Sequence, residues 1–186
     1  TGNGRLEIRE GGDIKSKAAQ LGGEETGSGT VVMTHEKAQW EVKGGMEVGI
    51  EGEGTLEIIS KSDLRSVSAN IGVNSEGDGT VEIRDSGSTW FVTENITIGD
   101  AGVGTVEIKT AGVLTSKTGD MGLKSSGSGY LELTGNTSTK WINSELMRVG
   151  VSGNARVTIN VNTRIETGSS EVGSKDIGST YILCRW

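Results

Sequence analysis

The sequence predicts an all-β fold, a single-stranded right-handed parallel β-helix (β-solenoid) of about seven coils of ~25 residues, arranged as ~50-residue pairs. Three observations carry that expectation. Gly2, Gly27, Gly52, Gly77, Gly102 and Gly127 recur at a spacing of 25, each followed two positions later by a second glycine, from Gly4 to Gly129. Each G-x-G opens a short alternating run, as in Thr55-Leu56-Glu57-Ile58 and Thr105-Val106-Glu107-Ile108. An apolar residue followed by glycine then recurs from Leu21-Gly22 to Val172-Gly173, at spacings alternating between 27 or 28 and 23.

The coils start near 2, 27, 52, 77, 102, 127 and 153, and 179–186 form a partial coil or irregular end. The first element of each coil is the T-V-E-I run. Alternation of apolar and polar residues over four to six positions marks a half-buried strand. Its apolar positions predict two inward columns, one running from Leu6 and Val31 to Val157, the other from Ile8 and Met33 to Ile159. The second element surrounds Trp40, Trp90 and Trp141 in even coils and Ser16, Ser66 and Ser116 in odd ones, which gives the array an A-B-A-B texture. The third ends at the apolar-Gly pair, as in Asn95-Ile96-Thr97-Ile98-Gly99. Glycine clusters supply the corners between strands. A single residue inserted near Asn143-Ser144 accounts for the later arrival of the seventh copy.

No segment holds a helical period, and glycine at this density would cost a helix about 1 kcal/mol each. One coil cannot bury its own apolar residues, but stacked coils form columns of like side chains. At about 4.8 Å between paired strands, seven coils make a rod roughly 35 Å long.

Composition agrees. The 186 residues include 31 glycines, no proline and 32% hydrophobic residues, which suits a thin core. A net charge of −7 lacks the basic stripe that nucleic acid requires. The lone cysteine, Cys184, forms no internal disulfide. No apolar run of about 18 residues is present to span a membrane. Residues 1–186 read as one domain that enters in register with the repeat, as a piece of a longer array would.

Glu57, Glu82, Glu107 and Glu132 fall at the outward position of the same strand on successive coils, with Glu7 earlier and Val32 interrupting. Such a carboxylate ladder is a candidate for a bound cation such as calcium, because hard oxygen ligands suit it. The simpler reading, which we prefer, is a solvated face relieved by basic neighbours such as Arg84 and Lys109; no cofactor is expected. Trp40, Trp90 and Trp141 would lie on one side about 10 Å apart. An exposed row could stack on sugar rings, but the apolar Val42 and Val92 two positions on favour packing in the core. Asn95-Ile96-Thr97 and Asn136-Thr137-Ser138 match the glycan-acceptor pattern and carry little weight in a chain this rich in Ser, Thr and Asn. Catalysis has little support. The only histidine, His35, falls in a corner and is separated from Cys184 by about six coils.

The stretch Gly77-Asp78-Gly79-Thr80-Val81-Glu82-Ile83, then Ser86-Gly87-Ser88-Thr89-Trp90, then Ile96-Thr97-Ile98-Gly99, resembles repeats in the passenger regions of bacterial autotransporter adhesins (AIDA- and pertactin-like surface proteins). The likeness covers essentially 1–178. It implies a non-catalytic, extracellular β-helical stalk at the cell surface, with adhesion, aggregation or biofilm roles and with host or cell-surface glycans or proteins, or other copies of itself, as partners. No signal sequence and no C-terminal membrane barrel is recognisable, so the export route is analogy alone. An alternative is a subunit that stacks end to end into an extracellular filament. A polysaccharide-acting enzyme or a phage tail-fibre segment fits less well.

Overall fold

The computed structural model describes residues 2–173 and 180–184, and every regular element in it is a strand. Coil 1 holds β1 (Asn3–Ile8), β2 (Asp13–Ser16) and β3 (Ala19–Leu21), and coil 2 holds β4 (Ser28–Met33) and β5 (Gln39–Val48). Coil 3 holds β6 (Glu53–Ile58) and β7 (Asp63–Ile71); coil 4 holds β8 (Asp78–Arg84), β9 (Thr89–Val92) and β10 (Asn95–Ile98). Coil 5 holds β11 (Val103–Lys109), β12 (Val113–Ser116) and β13 (Thr118–Met121). Coil 6 holds β14 (Ser128–Thr134) and β15 (Lys140–Val149), and coil 7 holds β16 (Asn154–Ile159) and β17 (Arg164–Val172). A further strand, β18 (Thr180–Cys184), begins the next level.

The chain is a β-solenoid. The T-V-E-I runs form one parallel sheet in the order β1-β4-β6-β8-β11-β14-β16-β18, and the remaining strands form a second parallel sheet. In the first sheet the glycines of successive coils face each other, with Gly4 opposite Gly29, Gly29 opposite Gly54 and Gly79 opposite Gly104. The 25-residue period of the sequence is therefore the register of this sheet. Both predicted inward columns are buried through the interior coils, where Leu56, Val81, Ile83, Val106 and Ile108 have no accessible surface. Burying each such side chain is worth about 1.5–3 kcal/mol. At the open end of coil 1 Leu6 is 38% exposed, because no described strand lies beneath it.

The second sheet corrects the three-strand expectation. In coils 2, 3, 6 and 7 the second and third elements merge into the single strands β5, β7, β15 and β17. Even coils carry one additional residue at the junction. Val42 and Gly45 pair with Ser66 and Ser68, and Asn143 and Leu146 pair with Thr167 and Ser169, each with a register shift. One strand thus takes up an extra residue and bends without breaking, as a β-bulge does. The insertion in coil 6 also lies elsewhere than expected. Val42 and Met46 are spaced as Asn143 and Met147 are, so Asn143-Ser144 holds no extra residue. It sits in the corner between Leu133 and Trp141, where Gly135 takes φ 137°.

The corners divide the glycine labour. Gly22, Gly49, Gly72, Gly99, Gly122, Gly150 and Gly173, which end the apolar-Gly pairs, have positive φ. The G-x-G glycines are absent from that set. They are needed for closeness: a Cβ on Gly104 would lie 2.3 Å from the Gly99 nitrogen and 2.4 Å from the Ile71 carbonyl oxygen.

Candidate functional site

The solenoid turns its chemistry outward in columns, and each sequence candidate can be placed on one. Glu57, Glu82, Glu107 and Glu132 stand opposite each other on β6, β8, β11 and β14. Adjacent like charges repel, and the same strands supply the compensation. Lys109 Nζ lies 2.6 Å from Glu107 and 3.7 Å from Glu82, and Arg84 lies 3.1 Å from Glu82. At the upper end Asn160 donates to Glu132 at 3.1 Å. Partial burial alone would depress the Lys109 amine. The Glu107 hydrogen bond and the charges of Glu107, Glu82 and Glu132 outweigh it and hold its pKa above the ordinary lysine value. Cation chemistry is thus supplied by the chain itself. Among the described residues no three His, Cys, Asp or Glu side chains gather as metal ligands would.

The tryptophans form an internal spine. Trp90 and Trp141 have no accessible surface and Trp40 is 6% exposed, so the stacking row expected as the alternative is replaced by core packing. A ring buried on both faces has none to offer a sugar. The odd-coil serines do more than leave room. Trp40 donates to Ser16 at 3.1 Å, Trp90 to Ser66 at 3.1 Å and Trp141 to Ser116 at 2.9 Å. Each bond runs from an even coil to the odd coil before it, and a buried indole N–H usually finds such a partner. In register, Trp40 faces Ile14 and Leu64, while Ser66 faces Val42.

A small residue completes each junction. Ala19 faces Met46, Ala69 faces Ile96 and Gly119 faces Met147. At Gly119 even a methyl group would come within 2.5 Å of the Trp141 ring. Odd coils therefore present an aliphatic residue, a hydroxyl and a small residue, where even coils present tryptophan, Val or Asn, and a bulky Met or Ile. This is the physical basis of the A-B texture. Sequence reading missed the pairing because the partners lie 24 or 25 positions apart and two columns over. The signal available was that each serine stands two positions beyond an Ile or Leu that aligns with the tryptophan.

The third strand carries one well-formed ion pair that the sequence reading did not single out. Arg148 grips Asp120 with two bonds of 2.6 Å, joining coil 6 to coil 5. Bidentate geometry of this kind is the stronger form of ion pair. Two shallow grooves lie on the outer faces of the sheets. One runs past Glu107, Tyr130, Arg156 and Asn160, the other past Lys15, Glu41, Asp63 and Arg65. Both are open and lined by polar side chains.

The remaining candidates are dispersed. His35 is exposed at a corner with φ 79°. It follows β4, six rungs from β18 in the first sheet. The side chain of Cys184 lies outside the described residues. Asn136 sits at an exposed corner where its Oδ1 accepts from the Ser138 amide at 2.9 Å. Asn95 opens β10, and the hydroxyl-bearing Thr97 of that motif is buried. The chain matches no family model, no curated protein and no solved structure.

Proposed function

We propose that this chain is a stretch of a non-catalytic, extracellular β-solenoid stalk of an autotransporter-like bacterial surface protein, serving adhesion or aggregation. One observation carries the reading: in the first sheet each coil meets the next in unbroken register, from β1 to β18, and none opens into an inserted loop among the described residues. Catalytic β-helices build sites by departing from the repeat, whereas a spacer gains from keeping it. The outer columns support the same reading. Several of their charges are paired within the rod, as in Lys109 with Glu107 and Arg148 with Asp120.

The experiment is electron microscopy of the purified chain over a concentration series, followed by adherence of chain-coated beads to glycan arrays and cells. Separate rods of uniform width that confer adherence are the expected result. Turnover of a polysaccharide by the purified chain would overturn it.

A further inference from the structure

The outer face of the first sheet keeps its backbone register while one of its side-chain columns changes character. That column holds Thr55, Thr80 and Thr105 on coils 3 to 5, then Tyr130 on coil 6 and Arg156 on coil 7. Tyr130 is 43% exposed, although the strands on either side of β14 are in place. A threonine fills the same position in three other coils, so the fold asks for no aromatic ring here. Paired strands stand about 4.8 Å apart, and alternate residues of one strand about 7 Å apart. The ring is thus bordered by Thr105 and Arg156 across the sheet and by Glu132 along the strand, in a groove of about 270 Å³.

The polar groups around that ring are partly committed and partly free. Glu107 accepts from Lys109 at 2.6 Å, and one Glu132 oxygen accepts from Asn160 at 3.1 Å. The other Glu132 oxygen has no hydrogen-bond partner among the described residues, and the exposed Arg156 makes no ion pair with them.

We infer that this groove binds a neutral hexose ring of a glycan, with the sugar's C–H face on Tyr130 and its hydroxyls on Arg156 and Glu132. Charge selects the class. Glu107 and Glu132 offset Arg156 and Lys109, so an acidic sugar would meet two carboxylates and a cationic amino sugar two cations. A neutral polyol uses both signs, because each hydroxyl donates as well as accepts. An apolar surface with a few convergent polar groups is how proteins orient small ligands, and the volume lies below the roughly 300–1,000 Å³ that holds drug-sized ones. An extended peptide is a poorer occupant. It would seek an unpaired strand edge, and β11, β14 and β16 are each paired on both sides. The inference rests on the adhesive reading for the source of the sugar, a surface glycan, and on the groove alone for its chemistry.

The test is saturation-transfer NMR of the 186-residue chain with the methyl glycosides of glucose, galactose and mannose, and with glucuronate and glucosamine as charged comparators. At least one neutral glycoside is expected to bind through its C–H protons with a Kd of about 1–10 mM, and more tightly than either charged sugar. Tyr130→Phe keeps the ring and should bind within about 3-fold of the native chain. Tyr130→Thr restores the column of coils 3 to 5, so the rod should fold, and binding should weaken about 10-fold or more. Arg156→Thr, an independent variant, should weaken it about 5-fold. The inference is overturned if no neutral glycoside binds up to about 50 mM, or if Tyr130→Thr binds as the native chain does. It is also overturned if glucuronate or glucosamine binds more tightly than every neutral sugar. Adherence of coated beads separates the two readings. Beads that adhere as well with Tyr130→Thr overturn the inference and leave the adhesive stalk standing. A sugar that binds at Tyr130 on beads that adhere to nothing upholds the inference and counts against the stalk's adhesive role.

Discussion

The Trp90–Ser66 bond shows how much of this rod depends on single polar atoms placed in an apolar interior. Ser66→Ala would leave a fully buried indole N–H without an acceptor, and an orphaned buried donor costs about 1–3 kcal/mol. Urea unfolding should register that loss. Ser16→Ala should cost less, because Trp40 keeps 6% of its surface exposed, so water can serve its N–H in part. Equal losses at the two sites would mean that the serines act by size and not by bonding. Glycine gives a second contrast. A methyl on Gly104 would overlap backbone atoms at 2.3 and 2.4 Å, whereas one on Gly4 meets nothing within 4 Å. The two hold the same place in the repeat, and among the described residues only Gly104 is backed by a preceding coil. Gly104→Ala should therefore cost about 3 kcal/mol or more, with Gly4→Ala near neutral, as thermal melts of the two variants would show.

A strand in this rod answers to its neighbours above and below more than to its own sequence, and the glutamate column makes that testable. Lys109 reaches carboxylates on two coils. Lys109→Met would leave Glu82, Glu107 and Glu132 less compensated, a loss of about 1 kcal/mol at pH 7. The deficit should shrink in high salt. In the native chain the Lys109 pKa is raised. Its contribution is therefore complete below the ordinary lysine pKa and is lost as pH rises through the raised value. Denaturant titrations of both proteins at several pH values would check each arm. The first sheet was legible in the sequence because its register is the glycine period itself. The fusion of second and third strands was not. Whether Val42 and Gly45 continue one strand depends on the neighbouring strand following the bend, and single-chain alternation holds no trace of that. The tryptophan rings were legible as a column but not as donors, since their acceptors are set by cross-coil register.

At the scale of the whole molecule the repeating unit is the pair of coils, and deletion can separate pair from coil. Removing 52–101 takes out coils 3 and 4 and brings coil 2 against coil 5. Trp40 then meets Leu114 where it had met Leu64, and every odd coil still lies between even ones or at an end. Stability in a solenoid is close to a sum over coils and nearest-neighbour junctions, so this chain should melt lower but cooperatively. Removing only 77–101 takes out coil 4 and preserves the glycine register equally well. It sets odd on odd, however: Leu64 falls opposite Leu114, Ser66 loses its tryptophan, and Ala69 lies over Gly119. The lost indole leaves a void whose cost, by analogy with large-to-small core changes, is about 3–5 kcal/mol. The single-coil deletion, though it removes fewer residues, should therefore melt below the two-coil deletion and bind a hydrophobic dye. Circular dichroism melts of the two would decide the matter. If the shorter chain melted lower instead, the coils would be interchangeable, and the alternation of tryptophan and serine would be ornament on a uniform 25-residue repeat.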